Sequence, residues 1–122
     1  MTAPDSPIDV SSADQYVRGD VCEGWRLLKH EAMRVIQERI PPGAVEAHHF
    51  HTRARQFFYG LQGRLAIECA GRFMKIRDRQ GIRVQPGLEH RVTDTSGEDA
   101  VFLVVSSPPT SGDRTNVWGP PA

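Results

Sequence analysis

The feature that most constrains this chain is its punctuation. From about Trp25 onward, short runs of β-branched, aromatic and aliphatic residues are broken at close intervals by Pro41-Pro42-Gly43, Gly63, Ala70-Gly71, Asp78 to Gly81, Pro86-Gly87 and Ser96 to Asp99. Such spacing predicts short strands joined by tight turns, over residues 25–29, 33–40, 46–51, 56–61, 64–69, 72–77, 81–84, 90–94 and 101–106. No apolar period of the helical kind persists, which excludes a helical bundle. The fold class is therefore all-β, a sandwich or a barrel. A length of 122 residues suits one domain with one core. Leu65, Ile67, Met74, Ile76, Leu103 and Val105 read as that core.

Charge excludes some functions. Fifteen basic and fifteen acidic residues cancel, so no strong field draws the chain to nucleic acid or to an anionic membrane. Cys22 and Cys69 sit in no paired spacing, which argues against a disulfide scaffold. No long apolar run suggests a membrane span, and the first residues lack the basic and apolar regions of a signal peptide. The expected setting is cytoplasmic. The ends are rich in Pro, Ser, Thr, Gly and Asp. They read as an N-terminal arm over 1–24 and a C-terminal tail over 108–122, with the barrel or sandwich between, over 25–107. One helical turn is expected over 12–17, capped by Ser12. Trp118 in the tail either tucks against the domain or meets a partner subunit. The Arg18-Gly19-Asp20 triplet is read as chance.

Chemistry gathers at the histidines. Side chains alternate faces along a strand, so His49 and His51 point one way and His48 and Phe50 the other. Two imidazoles one pleat apart can reach one ion, although a lone pair of this kind is a weak signal. Here it has company. Gly43 precedes His49 by five intervening residues, Gln56 follows His51 after four, and Gly63 follows Gln56 after six. Further on, Pro86-Gly87 leads to His90 and Asp94.

The two stretches, 43–63 and 82–94, resemble the two motifs of the cupin family. The family's first motif carries a glutamate where this chain has Gln56; its second often ends in asparagine where this chain has Asp94. The resemblance implies a double-stranded β-helix, or jelly-roll, barrel. It also implies one divalent metal ion (Fe, Ni, Zn or Mn) held by His49, His51, Gln56 and His90, imidazole being a suitable ligand for such metals. An amide at position 56 leaves the ion's full formal charge and cannot act as a general base. Two alternatives stand: Gln56 only hydrogen-bonds nearby, or the barrel is empty.

Strand parity from Gln56 turns Phe58 and Gly60 inward, making them candidates for a substrate pocket. Gly60 either enlarges that pocket or marks a bulge or close backbone approach. Arg53, Arg55 and Arg91 flank the ligands in sequence and are candidates for the pocket mouth, where they would clamp an acidic substrate or merely be solvated. Asp94 either orients a ligand or caps a turn. Phe57, Tyr59 and Leu61 face outward, an apolar face that favours a homodimer. The expected function is a metal-dependent enzyme on a small organic molecule, dioxygenase-like first and lyase or isomerase second. The alternative is a non-catalytic module binding a small ligand or metal. Fold alone does not decide between them.

Overall fold

In the computed structural model, which describes residues 6–18 and 22–117, the punctuated pattern becomes eleven strands among the described residues. They are β1 (Asp14–Arg18), β2 (Cys22–Lys29), β3 (Arg34–Ile40), β4 (His49–His51), β5 (Arg55–Gln62), β6 (Leu65–Cys69), β7 (Arg72–Ile76), β8 (Gly81–Val84), β9 (His90–Asp94), β10 (Ala100–Ser107) and β11 (Arg114–Asn116). One sheet has six strands in the order β1-β2-β3-β10-β5-β8, the other five in the order β11-β4-β9-β6-β7. Every named pairing is antiparallel. Neither sheet closes on itself, so the expected barrel is an open pair of sheets. The free edges are β1 and β8 in one sheet and β11 and β7 in the other.

The strand expectations from 25 to 106 hold, with one shortened. In place of a strand over 46–51, only His49–His51 is a strand. Before it, Val45 makes a single bridge to Thr93 and the Glu46 amide bonds the Val92 carbonyl. The two ends correct the sequence reading more strongly. No helical turn forms over 12–17. A turn closes earlier, on the Asp9 carbonyl, which accepts from the Ser12 and Ala13 amides, and Asp14–Arg18 pairs with β2. A single isolated helical turn is too short to be stable alone, and the ladder to β2 offers each residue a partner. The segments read as arm and tail thus each supply an edge strand, β1 and β11. Trp118 and the Gly19-Asp20 part of the triplet lie outside the described residues.

Alternation places the core. Ala100, Phe102 and Val104 on β10 point inward beside Phe58 and Val84 and meet Leu65, Ile67, Ile76 and Val92 from the other sheet. Phe102 is fully buried, and a side chain of its kind contributes about 1.5–3 kcal/mol by burial. Met74 packs against this core. Leu103 and Val105 do not belong to it: their parity with Phe102 turns them to the outer face, where they are half-buried. Towards one end the inward positions change from apolar to polar. Gln56 stands opposite Ser106, and His49 stands opposite His90.

Candidate metal centre

Three strands bring the polar end together. β4 presents His49 and His51 on one face, β9 begins with His90 directly across from His49, and β5 from the other sheet presents Gln56. All four side chains are buried. One nitrogen from each of the three imidazoles lies within 4.8 Å of the others. His48, of opposite parity, faces outward and meets Glu68 at 3.2 Å.

Backbone carbonyls fix two of the tautomers. His49 Nδ1 donates to the Ala47 carbonyl at 2.9 Å, and His90 Nδ1 donates to the Leu88 carbonyl at 2.9 Å. A carbonyl only accepts, so the proton of each ring sits on Nδ1 and each Nε2 is a bare lone pair. His90 Nε2 faces Gln56 Oε1 at 3.1 Å, while Gln56 Nε2 donates to Ser106 Oγ at 3.1 Å. With the amide turned this way two acceptors face each other, a pair that one cation would satisfy. Two ligand atoms each about 2.1 Å from one ion, at right angles, stand about 3 Å apart. His51 Nδ1 is buried with no hydrogen-bond partner among the described residues. Burial pushes the His49 imidazole down to about 3 and lowers His51 and His90 in the same direction. The rings are thus neutral, the form that binds metal. The donor set fits a divalent cation.

His49, His51 and Gln56 line a chamber of about 260 Å³. Phe58 lines it too, with its ring 5.9 Å from the His90 ring. The lining also takes in Tyr16, Arg18, Glu38 and Arg114 from outside the two motifs, and Glu46 from within the first. Register explains how Tyr16 gets there. Tyr16 pairs with Gly24, and Gly24 with Glu38, across three strands. A Cβ on Gly24 would lie 2.1 Å from the Tyr16 ring, so only glycine lets the phenol cross β2. Tyr16 Oη then donates to Glu38 Oε2 at 2.8 Å. Burial, followed by the nearby Glu38 charge, pushes the phenol pKa up. Glu46 accepts from the Val92 amide at 3.1 Å and pairs with Arg18 at 3.2 Å and Arg114 at 3.6 Å. Burial raises its carboxyl above the usual range against the pull of both arginines.

Several sequence candidates lie elsewhere. Arg53 is on the surface, its side chain 67% exposed and 3.8 Å from Asp113. Arg55 is exposed beside Phe57 and Arg83, with parity opposite to Gln56. Arg91, of parity opposite to His90, pairs with Glu68 at 3.1 Å. None of the three lines the chamber. Gly60 does not line it either. A Cβ there would meet the Arg77 carbonyl at 2.7 Å, so the glycine serves a close backbone approach. Asp94 caps a turn, accepting from the Ser96 amide at 2.9 Å and from its hydroxyl at 2.7 Å.

A family model described as "Cupin domain" matches residues 36–106, more than half of the chain. This chain belongs to the cupin family. Among curated proteins, the cupin is similar to "Polyketide synthase CurC" of Streptomyces cyaneus, at 28% identity over 67 residues. That match covers 55% of this chain and 44% of the relative, so the chain spans under half the length of the curated protein it matches. Among solved structures, the polyketide cyclase RemF from Streptomyces resistomycificus superposes with a TM-score of 0.81 at 17% identity, covering 96% of this chain and 88% of that one. KdgF from Halomonas sp. superposes with a TM-score of 0.80 at 17% identity, covering 88% and 98%. The fold is shared with both. Two facing antiparallel sheets are typical of cupins and of the wider jelly-roll class.

Proposed function

We propose that this cupin is a metal-dependent enzyme acting on a small organic molecule, with His49, His51, His90 and Gln56 as the ligands of one divalent ion. The observation that carries the reading is the convergence of the buried His49, His51 and His90 imidazoles, one nitrogen of each within 4.8 Å of the others, beside a chamber with room for a ligand. Four side-chain ligands leave one or two positions open, the mark of a catalytic rather than a closed site. A bound divalent ion would supply Lewis-acid polarisation of a substrate oxygen.

The chain's own groups favour proton-transfer chemistry, of the lyase, isomerase or cyclase kind, over the dioxygenase reading. Gln56 carries no exchangeable charge, but Glu38 and Glu46 place two carboxylates in the same chamber. Glu38 can take a proton from a carbon next to a carbonyl, with the Tyr16 hydroxyl holding the carboxylate in place. Arg18 and Arg114 offset the carboxylates, and Phe58 and Val104 keep the inner end apolar. The relatives named for polyketide chemistry, CurC and RemF, are compatible with a carbonyl-bearing substrate for this chain.

The test loads the full chain with Zn(II), Ni(II) or Fe(II) and offers diketone, phenolic and carboxylic compounds in deuterated water. Metal-dependent deuterium uptake next to a carbonyl, lost in His90→Ala, is the expected result. Oxygen consumption without exchange favours the dioxygenase reading; binding with neither favours a non-catalytic module.

The outer face of the six-stranded sheet supports a homodimer. Phe57 and Leu61 are exposed, and the rings of Phe57 and Tyr59 stack at 6.1 Å. Light scattering is expected to give twice the chain mass, and Phe57→Arg to halve it.

A further inference from the structure

The C-terminal segment reaches back to the strand that carries two of the proposed ligands. β4 is three residues long and meets β9 through one pair, His49 with His90. On its other side β11 pairs with all three: Arg114 with His51, Thr115 with Phe50 and Asn116 with His49. The Val117 amide adds a bond to the His48 carbonyl at 2.8 Å. β11 is thus the main support of β4.

Just before β11, Asp113 enters the loop that links His51 to Gln56. Its carboxylate is buried. Oδ1 accepts from the Thr52 amide at 3.0 Å, and Oδ2 accepts from the Arg53 amide at 3.0 Å and the Ala54 amide at 2.9 Å. Three successive amides converging on one carboxylate define the conformation of the whole loop. Burial alone would raise this carboxyl; the three amides outweigh it and hold it lowered. The loop spans the two sheets, since His51 lies on β4 and Gln56 on β5. Its shape therefore sets the distance between those two ligands.

We infer that Asp113 is a positioning residue for the metal centre, fixing His51 relative to Gln56 through the 52–54 amides without touching the ion. The inference rests on the metal reading above. Supporting groups one step behind metal ligands typically change metal affinity by about 10–100-fold when removed.

The experiment uses the full chain and two probes, Zn(II) in competition with a chelating dye and Co(II) read by its visible spectrum. Asp113→Ala is expected to weaken Zn(II) binding by at least about tenfold and to alter the Co(II) bands. Asp113→Asn, which keeps one acceptor oxygen, falls between it and the parent chain, and decides the matter if the alanine variant does not fold. Arg53→Ala, which removes only the exposed ion pair, leaves both readouts unchanged. Variants that lose stability in urea but keep the parent's Zn(II) affinity and Co(II) spectrum overturn the positioning role and leave the metal reading standing. A parent chain that takes up neither metal overturns both.

Discussion

Gln56 decides how much charge the proposed centre keeps. Its amide oxygen is neutral, so a divalent ion there retains its full formal charge, offset only at a distance by Glu38 and Glu46. Gln56→Glu places a carboxylate at the same point, in reach of His90 and Ser106. It is expected to tighten Zn(II) retention by about tenfold, or about 1.4 kcal/mol, measured by chelator competition; unchanged or weaker retention contradicts this role. The histidines were legible because two spaced motifs name them. The other residues of the chamber were only partly so. Glu38 sits between Ile36 and Ile40 in strict alternation, which marks an inward carboxylate by the rule that placed Phe58. That rule also turns Arg55 and Arg91 away from the chamber, so proximity in sequence to a ligand was the weaker guide. Nothing local marked Arg114 or Asp113, whose roles depend on where the chain returns.

At the scale of the element, the two edge strands do more than their composition suggests. β1 and β11 are short, polar and flanked by turn-forming residues, so pattern alone reads them as arm and tail. Their pairing comes from tertiary contacts, β1 lying along the edge of β2 and β11 along the edge of β4, which carries His49 and His51. The nine strands between them were legible because alternation and turn residues are local signals. The open sheet pair was not, because closure depends on whether the edge strands β1, β8, β11 and β7 pair from one sheet to the other, which no local pattern encodes. Gly24 gives a test of β1. Gly24→Ala puts a methyl group where the Tyr16 ring lies. It is expected to expel Tyr16 from Glu38 and to raise hydrogen exchange over 14–18. The loss should be about 1–3 kcal/mol, larger than the roughly 1 kcal/mol of Tyr16→Phe. Equal losses for the two variants contradict the packing argument.

For the whole molecule, the centre links stability to pH. His49, with its pKa lowered from 6.5 to about 3, and His51 and His90, lowered in the same direction, bind fewer protons folded than unfolded. Stability of the metal-free chain is therefore undiminished above about pH 6.5 and falls as pH drops below it. Glu46, raised by burial, works in the opposite sense, one group against three. Asp113, lowered from 3.8, adds its loss only below about pH 4. Urea midpoints are expected to stay level from about pH 8 to 7 and to decline towards about pH 5; a midpoint that rises on acidification contradicts the neutral, buried imidazoles. Metal retention should decline over the same range, since protons compete for the ligand nitrogens. The most direct measurement is an anomalous difference map from crystals of the full chain purified without added metal, recorded at the iron, nickel and zinc edges. The account predicts one peak bounded by His49, His51 and His90, with Gln56 Oε1 turned towards it. A peak elsewhere, or none after soaking in any of the three ions, contradicts it.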